Sequence, residues 1–191
     1  MKTKTITLYT LAELKTLSED PESPVFMDAH SVALSTLSDR AIYGNWWDSV
    51  EVTINEDGFS LDSFDIYHRE IHITKETVCY WDVARRLLKN WGHESPIYRL
   101  THDYLVLATK QRREWLTIER QSYPMTTRYD WDESDEAREL INDFLSDLKQ
   151  EYLSLLTSEY EYLTSEEYIT DFAEANDFYF DKYGNITSDE S

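Results

Sequence analysis

The apolar positions change period along the chain, and each change predicts a new element. Residues 3–9 alternate, with Ile6 and Leu8 on one face, which is the period of a strand. Thr10, with Glu13 three residues on, forms a capping box for a short helix carrying Leu11, Leu14 and Leu17. Pro21 and Pro24 close that stretch, and Pro24 suits the first turn of a second helix holding Val25, Phe26, Val32, Leu34 and Leu37. Residues 45–57 satisfy two periods at once. Trp46, Val50 and Ile54 fall on one helical stripe, whereas Val50, Val52 and Ile54 alternate as in a strand; either element ends at Glu56-Asp57-Gly58. Phe59, Leu61, Phe64 and Ile66, then Ile71 and Ile73, make two strand-like runs with a change of phase near Ser63, which predicts an antiparallel hairpin.

Helical periods dominate from there on. Thr74 is placed to cap a helix with Val78, Trp81, Leu87, Leu88 and Trp91 inward and Gly92 as its left-handed terminator. Ser95-Pro96 opens a long helix through Ile97, Leu100, Tyr104, Leu107, Ala108, Trp115 and Ile118, which Pro124 stops. From Asp132 to about Leu156 an amphipathic helix turns Leu140, Ile141, Phe144, Leu145, Leu148, Tyr152 and Leu156 inward. Thr164 with Glu167 reads as a second capping box, for a helix holding Ile169 and Phe172 that Asn176 ends in a left-handed conformation. Phe178 to Phe180 and the Gly184 turn suggest a small terminal strand or hairpin, and residues 187–191 a frayed end. The fold class predicted is α+β: a small antiparallel sheet packed by helices, followed by an acidic helical C-terminal region, with domains at 1–125 and 126–191.

Charge sharpens that division. The 191 residues carry 38 acidic and 18 basic side chains, a net of −20. Residues 1–125 hold 19 acidic and 14 basic; residues 126–191 hold 19 acidic and only 4 basic, so −15 of the surplus lies in the last third. A field of that sign repels nucleic acid and anionic membranes and attracts basic surfaces. With 41% hydrophobic and 14% aromatic residues the chain is too apolar for disorder. The first residues do not resemble a signal peptide and no run approaches the roughly 20 apolar residues of a membrane span, which points to the cytoplasm. Cys79 stands alone beside Val78 and Trp81 and reads as a small core residue.

Catalytic chemistry finds little support. His68, Glu70 and His72 would share one face of a strand and are the best metal candidate, but nothing supplies a fourth ligand or a general base. Asp130, Asp132, Ser134 and Glu136 alternate like a calcium loop, yet Asp135 stands where glycine is required and Ile141 where an acid is. Four scattered glycines exclude a phosphate loop. The chain reads as a binder without a cofactor and not as an enzyme.

Two surfaces compete for that binding. In the helix of residues 132–156, Asp132, Glu133, Asp135, Glu136, Glu139, Asp143, Asp147 and Glu151 give an acid about every half turn, followed by Glu159 and Glu161. Only Arg138 and Lys149 interrupt them. Helical rise is roughly 1.5 Å per residue and duplex DNA carries a charge about every 1.7 Å of axis, so such a row can imitate phosphates. Tyr160 and Tyr162 nearby are candidate anchors for a partner. The alternative is a basic strip over residues 85–120, with Arg85, Arg86, Lys89, Arg112 and Arg113 among tryptophans, which suits a regulator that binds single-stranded nucleic acid. The strip could equally face the acidic helices, within one molecule or in a neighbouring copy, so a homodimer stays open.

Lys4 to Leu14 with its K-T-I-T-L-Y start, the tandem Trp46-Trp47-Asp48, the block from Glu151 to Glu167 (E-Y-L-S-L-L-T-S-E-Y-E-Y-L-T-S-E-E) and Glu174-Ala175-Asn176 before a closing Phe-x-x-x-Gly resemble a loose group of acidic proteins from bacteriophages and mobile elements, without an assigned activity. The resemblance implies a bacterial host cell as the setting. With the acidic surface it leads to the expectation of an inhibitor of a nucleic-acid-handling defence enzyme, of anti-CRISPR or anti-restriction type, that acts by protein binding to a basic surface of a host nucleic-acid-binding protein.

Overall fold

The computed structural model describes residues 7–20, 22–44, 46–75, 80–122 and 134–187, with the backbone alone over 115–122. Among these the chain forms α1 (Leu11–Ser18), a 3-10 turn (Pro24–Phe26), α2 (Ala29–Ala41), α3 (Asp48–Glu56), β1 (Phe59–Asp65), β2 (Glu70–Lys75), α4 (Tyr80–Asn90), α5 (Pro96–Ser122), α6 (Asp135–Leu163) and α7 (Glu166–Ala175). The architecture is α+β, with one small antiparallel sheet packed by helices. The chain groups into two compact units that do not follow a division at 125/126: residues 1–47 with 158–191, and residues 48–157. No described helix is long and apolar enough to cross a membrane.

The first unit joins two distant stretches of chain. The Thr10 hydroxyl accepts from the Glu13 amide at 3.2 Å and the Glu13 carboxylate accepts from the Thr10 amide at 2.8 Å, so the capping box forms as the sequence predicts. That start turns Leu11 and Leu14 inward, onto a core of Ala29, Ala33, Leu37, Ile169, Ala173 and Phe180. Tyr9 and Phe180 exchange backbone hydrogen bonds of 2.9 and 2.8 Å, and Phe180 also bridges Ile186. The rest of the strand predicted over 3–9 lies outside the described residues.

Other expectations for this unit fail for identifiable reasons. Pro24 opens only a 3-10 turn, and α2 packs through the small residues Ala29 and Ala33 with Leu37, leaving Val25 and Val32 exposed. The small side chains are needed because Gly184, at φ +83°, rests directly on the α2 backbone. Ser165, not Thr164, caps α7 by accepting from the Tyr168 amide, because the Thr164 hydroxyl turns back to the Tyr160 carbonyl. Asn176 is not left-handed (φ −108°); Asp177, at φ 51°, takes that role.

In the second unit, residues 48–56 resolve as helix: Val50 and Ile54 are buried one turn apart, while Val52 is exposed. Gly58, at φ +93°, turns the chain from α3 into β1. The register runs Phe59↔Lys75 and Leu61↔Ile73, then shifts to Ser63↔His72 and Phe64↔Ile71. This bulge is the change of phase legible at Ser63. Thr74 is a residue of β2 whose hydroxyl donates to Asp62 across the hairpin at 2.6 Å, so it is not the cap of α4. Gly92 is not among the glycines of positive φ either, and Cys79 and Pro124 lie outside the described residues. Pro96 does open α5. On α6 the Ser134 hydroxyl accepts from the Ala137 amide at 3.1 Å, and Ile141, Phe144, Leu148, Tyr152 and Leu156 are buried. Phe144 stacks on Tyr104 of α5 at 4.3 Å between centroids.

Candidate functional site: the outward face of α6

Burying Ala137, Ile141, Phe144 and Leu148 fixes which side of α6 meets solvent. At about 100° per residue, Asp135, Glu136, Glu139, Asp143 and Asp147 fall within an arc of about 120° on the opposite side. All five are exposed. Arg138 lies on the other flank of the helix and reaches only Asp135, at 3.5 Å. Among the described residues no cation pairs with Glu136, Glu139, Asp143 or Asp147.

The structure does not gather every acid counted along the sequence. Glu151 is half-buried at the edge of the core stripe, and Asp132 and Glu133 lie outside the described residues. Glu159, Tyr160, Glu161 and Tyr162 belong to the other compact unit. There Tyr160 is half-buried with its ring 5.5 Å from that of Trp46, whereas Tyr162 is 60% exposed. From Glu136 to Asp147 the α6 face therefore presents one carboxylate per turn, or about 5.5 Å along the axis. That is sparser than the one per half turn read from the sequence and sparser than a single DNA strand, with a phosphate per roughly 3.4 Å of axis.

The basic strip is only partly turned outward. Arg85 and Lys89 are exposed on α4, with Arg85 3.4 Å from Asp82. Arg86 is half-buried and its guanidinium packs against Gly58, where an added Cβ would lie 2.6 Å from it. Arg112 lies over the Trp81 ring at 5.9 Å. Arg113 is exposed beside a groove on α5 lined by His102, Leu105, Val106, Thr109 and Lys110.

His68, Glu70 and His72 do not share a strand face, because His68 sits in the turn before β2. Asp65 holds it there: one carboxylate oxygen accepts from the amides of Tyr67 and His68, and the other lies 2.7 Å from the His68 ring nitrogen. Among the described residues no group of three or more metal-ligating side chains forms. The Asp65 hydrogen bond raises the His68 pKa above the ordinary 6.5, whereas burial lowers that of His30. The stability gained from charged His68 is thus complete below pH 6.5 and lost as pH rises through its raised value. In an NMR titration His68 is expected to deprotonate last and His30 first of these two, with Asp65→Asn returning His68 to the ordinary value.

Sequence reasoning missed a fully buried carboxylate. Asp57 is fully buried and accepts from Asn90 at 2.9 Å, from the Trp91 indole at 2.7 Å and from the Tyr152 hydroxyl at 2.8 Å. Burial, with the neighbouring Asp57 carboxylate, pushes the Tyr152 hydroxyl far up, so it remains a donor. This junction ties the end of α3 to α4 and α6 and fixes how α6 is rotated. Aspartate before glycine signals only a turn in sequence, and its partners lie 33 to 95 residues away. No protein-family model, no curated protein and no solved structure matches the chain, so its function is read from the chemistry of these surfaces.

Proposed function

We propose that the protein is a non-catalytic binder whose acidic α6 face occupies a basic groove of a nucleic-acid-handling protein. In the setting that the phage and mobile-element resemblance implies, such a binder is an inhibitor of anti-CRISPR or anti-restriction type. The observation that carries the reading is the run Glu136, Glu139, Asp143, Asp147: exposed, on one side of a helix, and without compensating cations among the described residues. A merely solvated helix face gains from oppositely charged neighbours at i+4, and this face forgoes them. At one carboxylate per turn it supplies an electrostatic outline of a phosphate row and not an atomic copy, so its contribution is to encounter more than to residence.

The test is a quadruple variant, Glu136→Gln, Glu139→Gln, Asp143→Asn and Asp147→Asn, compared with the unaltered protein in pull-downs from bacterial lysate at low and high salt. The unaltered chain is expected to retain a DNA- or RNA-processing enzyme at low salt and release it to high salt or to competing duplex DNA. The variant, with unchanged circular dichroism, is expected to associate with that enzyme on the order of 10- to 100-fold more slowly and with a flatter salt dependence. Equal association rates for the two proteins would remove the mimic mechanism. Direct retention of single-stranded nucleic acid by the full chain would favour the basic strip instead.

A further inference from the structure

The first unit carries an aromatic row that the α6 face does not use. Tyr162 lies in the last turn of α6, and its ring meets that of Tyr168 on α7 at 5.1 Å between centroids and 60°. Tyr168 stacks nearly parallel with Phe172 at 6.2 Å, and Phe172 meets Phe178 at 5.7 Å. The last three rings are half-buried, with one side against the core, while Tyr162 is 60% exposed. The far end of the row is already occupied by a cation, since the Arg40 guanidinium lies 5.4 Å from the centre of the Phe178 ring.

Acids flank the open end. On α7 the buried stripe is Ile169 and Ala173, the aromatic stripe Tyr168 and Phe172 lies beside it, and the exposed stripe beyond is Glu167, Asp171 and Glu174. None of these three has a cationic partner among the described residues, because Lys15 pairs with Glu166 instead. An aromatic stripe beside an exposed carboxylate stripe matches one chemistry best: a planar cation that stacks on a ring and donates to a carboxylate, which is arginine more than lysine. The unit around the row holds 16 acidic and 5 basic side chains, which draws such a cation in.

From these observations we infer that the open end of the row, Tyr162 and Tyr168 with Glu167 and Asp171, is a binding site for an arginine side chain of a partner's polybasic segment. Arg40 over Phe178 is the stacking half of that contact made within the chain. The site is independent of the α6 face, so either can fail alone.

The experiment titrates the full chain with hexa-arginine and with hexa-lysine, following binding by calorimetry and the tyrosine ring protons by NMR. Hexa-arginine is expected to bind roughly 5- to 10-fold more tightly than hexa-lysine and to shift the Tyr162 and Tyr168 resonances. Tyr162→Ala, at an exposed position that the fold does not need, is expected to abolish that preference, and Tyr162→Phe to keep it. Asp171→Asn should weaken hexa-arginine several-fold, and the quadruple α6 variant should leave the preference intact. Equal binding of the two peptides, or a preference that survives Tyr162→Ala, would overturn the site; loss of the preference in the α6 variant alone would move it to the other surface.

Discussion

Replacing Gly184 with alanine is expected to be the most damaging of the four glycine-to-alanine changes in this protein. At φ +83° the residue occupies the left-handed region, which costs a side chain roughly 1–2 kcal/mol. The added Cβ would also stand 2.1 Å from the Ala29 carbonyl oxygen and 3.0 Å from the Ala33 amide nitrogen. Both are atoms of a helix backbone, which cannot step aside as a side-chain tip does, so overpacking adds about 1–3 kcal/mol or more. The sum, about 2–5 kcal/mol, is a large part of the 5–15 kcal/mol by which ordinary domains are stable. Gly44→Ala is the control: its φ is +89°, but nothing lies within 4 Å of the added carbon, so about 1–2 kcal/mol of backbone strain is all it should cost. Urea unfolding of the two variants decides the matter. If Gly184→Ala loses no more than Gly44→Ala, the close approach to α2 is wrong.

Asp57→Ala is expected to cost about 3–5 kcal/mol through a different cause. The substitution removes the acceptor for the Trp91 indole and the Tyr152 hydroxyl and strands both donors where water does not reach easily. Tyr152→Phe removes one donor and leaves the carboxylate with two others, so about 1.5–3 kcal/mol is expected. If the network is real, the double variant should fall well short of the sum of the single losses. Urea unfolding followed by circular dichroism measures all three. A loss below about 1 kcal/mol for Asp57→Ala would mean that its partners find water or each other and that the junction does not fix α6.

How much of this could be read in the sequence depended on how local the cause was. The hairpin and its bulge were legible because a strand's period of two makes one extra residue visible as a phase change between Leu61 and Phe64. The Thr10 and Glu13 cap was legible because both partners sit within four residues. Caps failed where a hydroxyl had a rival: Thr74 finds Asp62 on the opposite strand, and Thr164 finds the carbonyl of Tyr160 behind it. Phe26, Leu34 and Leu37 face the core as hydrophobicity predicts, but Val25 and Val32 do not, because the close approach of Gly184 gives the contact on α2 to Ala29 and Ala33. The acidic face was legible residue by residue, but its density was not, since only burial reveals that Glu151 leaves the row. The Asp57 junction was out of reach because contacts across the fold leave no periodicity, and of the aromatic row only Tyr168 and Phe172, one turn apart on α7, follow a helical period.

The split make-up of the first unit sets an order of assembly during synthesis. Residues 48–157 are contiguous, so the second unit can collapse as soon as its own chain has emerged. The first unit cannot: Leu11, Leu14 and Leu37 are ready early, but Ile169, Ala173 and Phe180, which cover them, follow only after the whole intervening segment. At 5–20 residues per second that wait is on the order of ten seconds. Closing so long a loop adds little to its entropic cost, which grows only with the logarithm of length. The expense is time: throughout it α1 and α2 hold an uncovered apolar face, a natural substrate for a chaperone, until Tyr9 finds Phe180 and the two stretches of the first unit join.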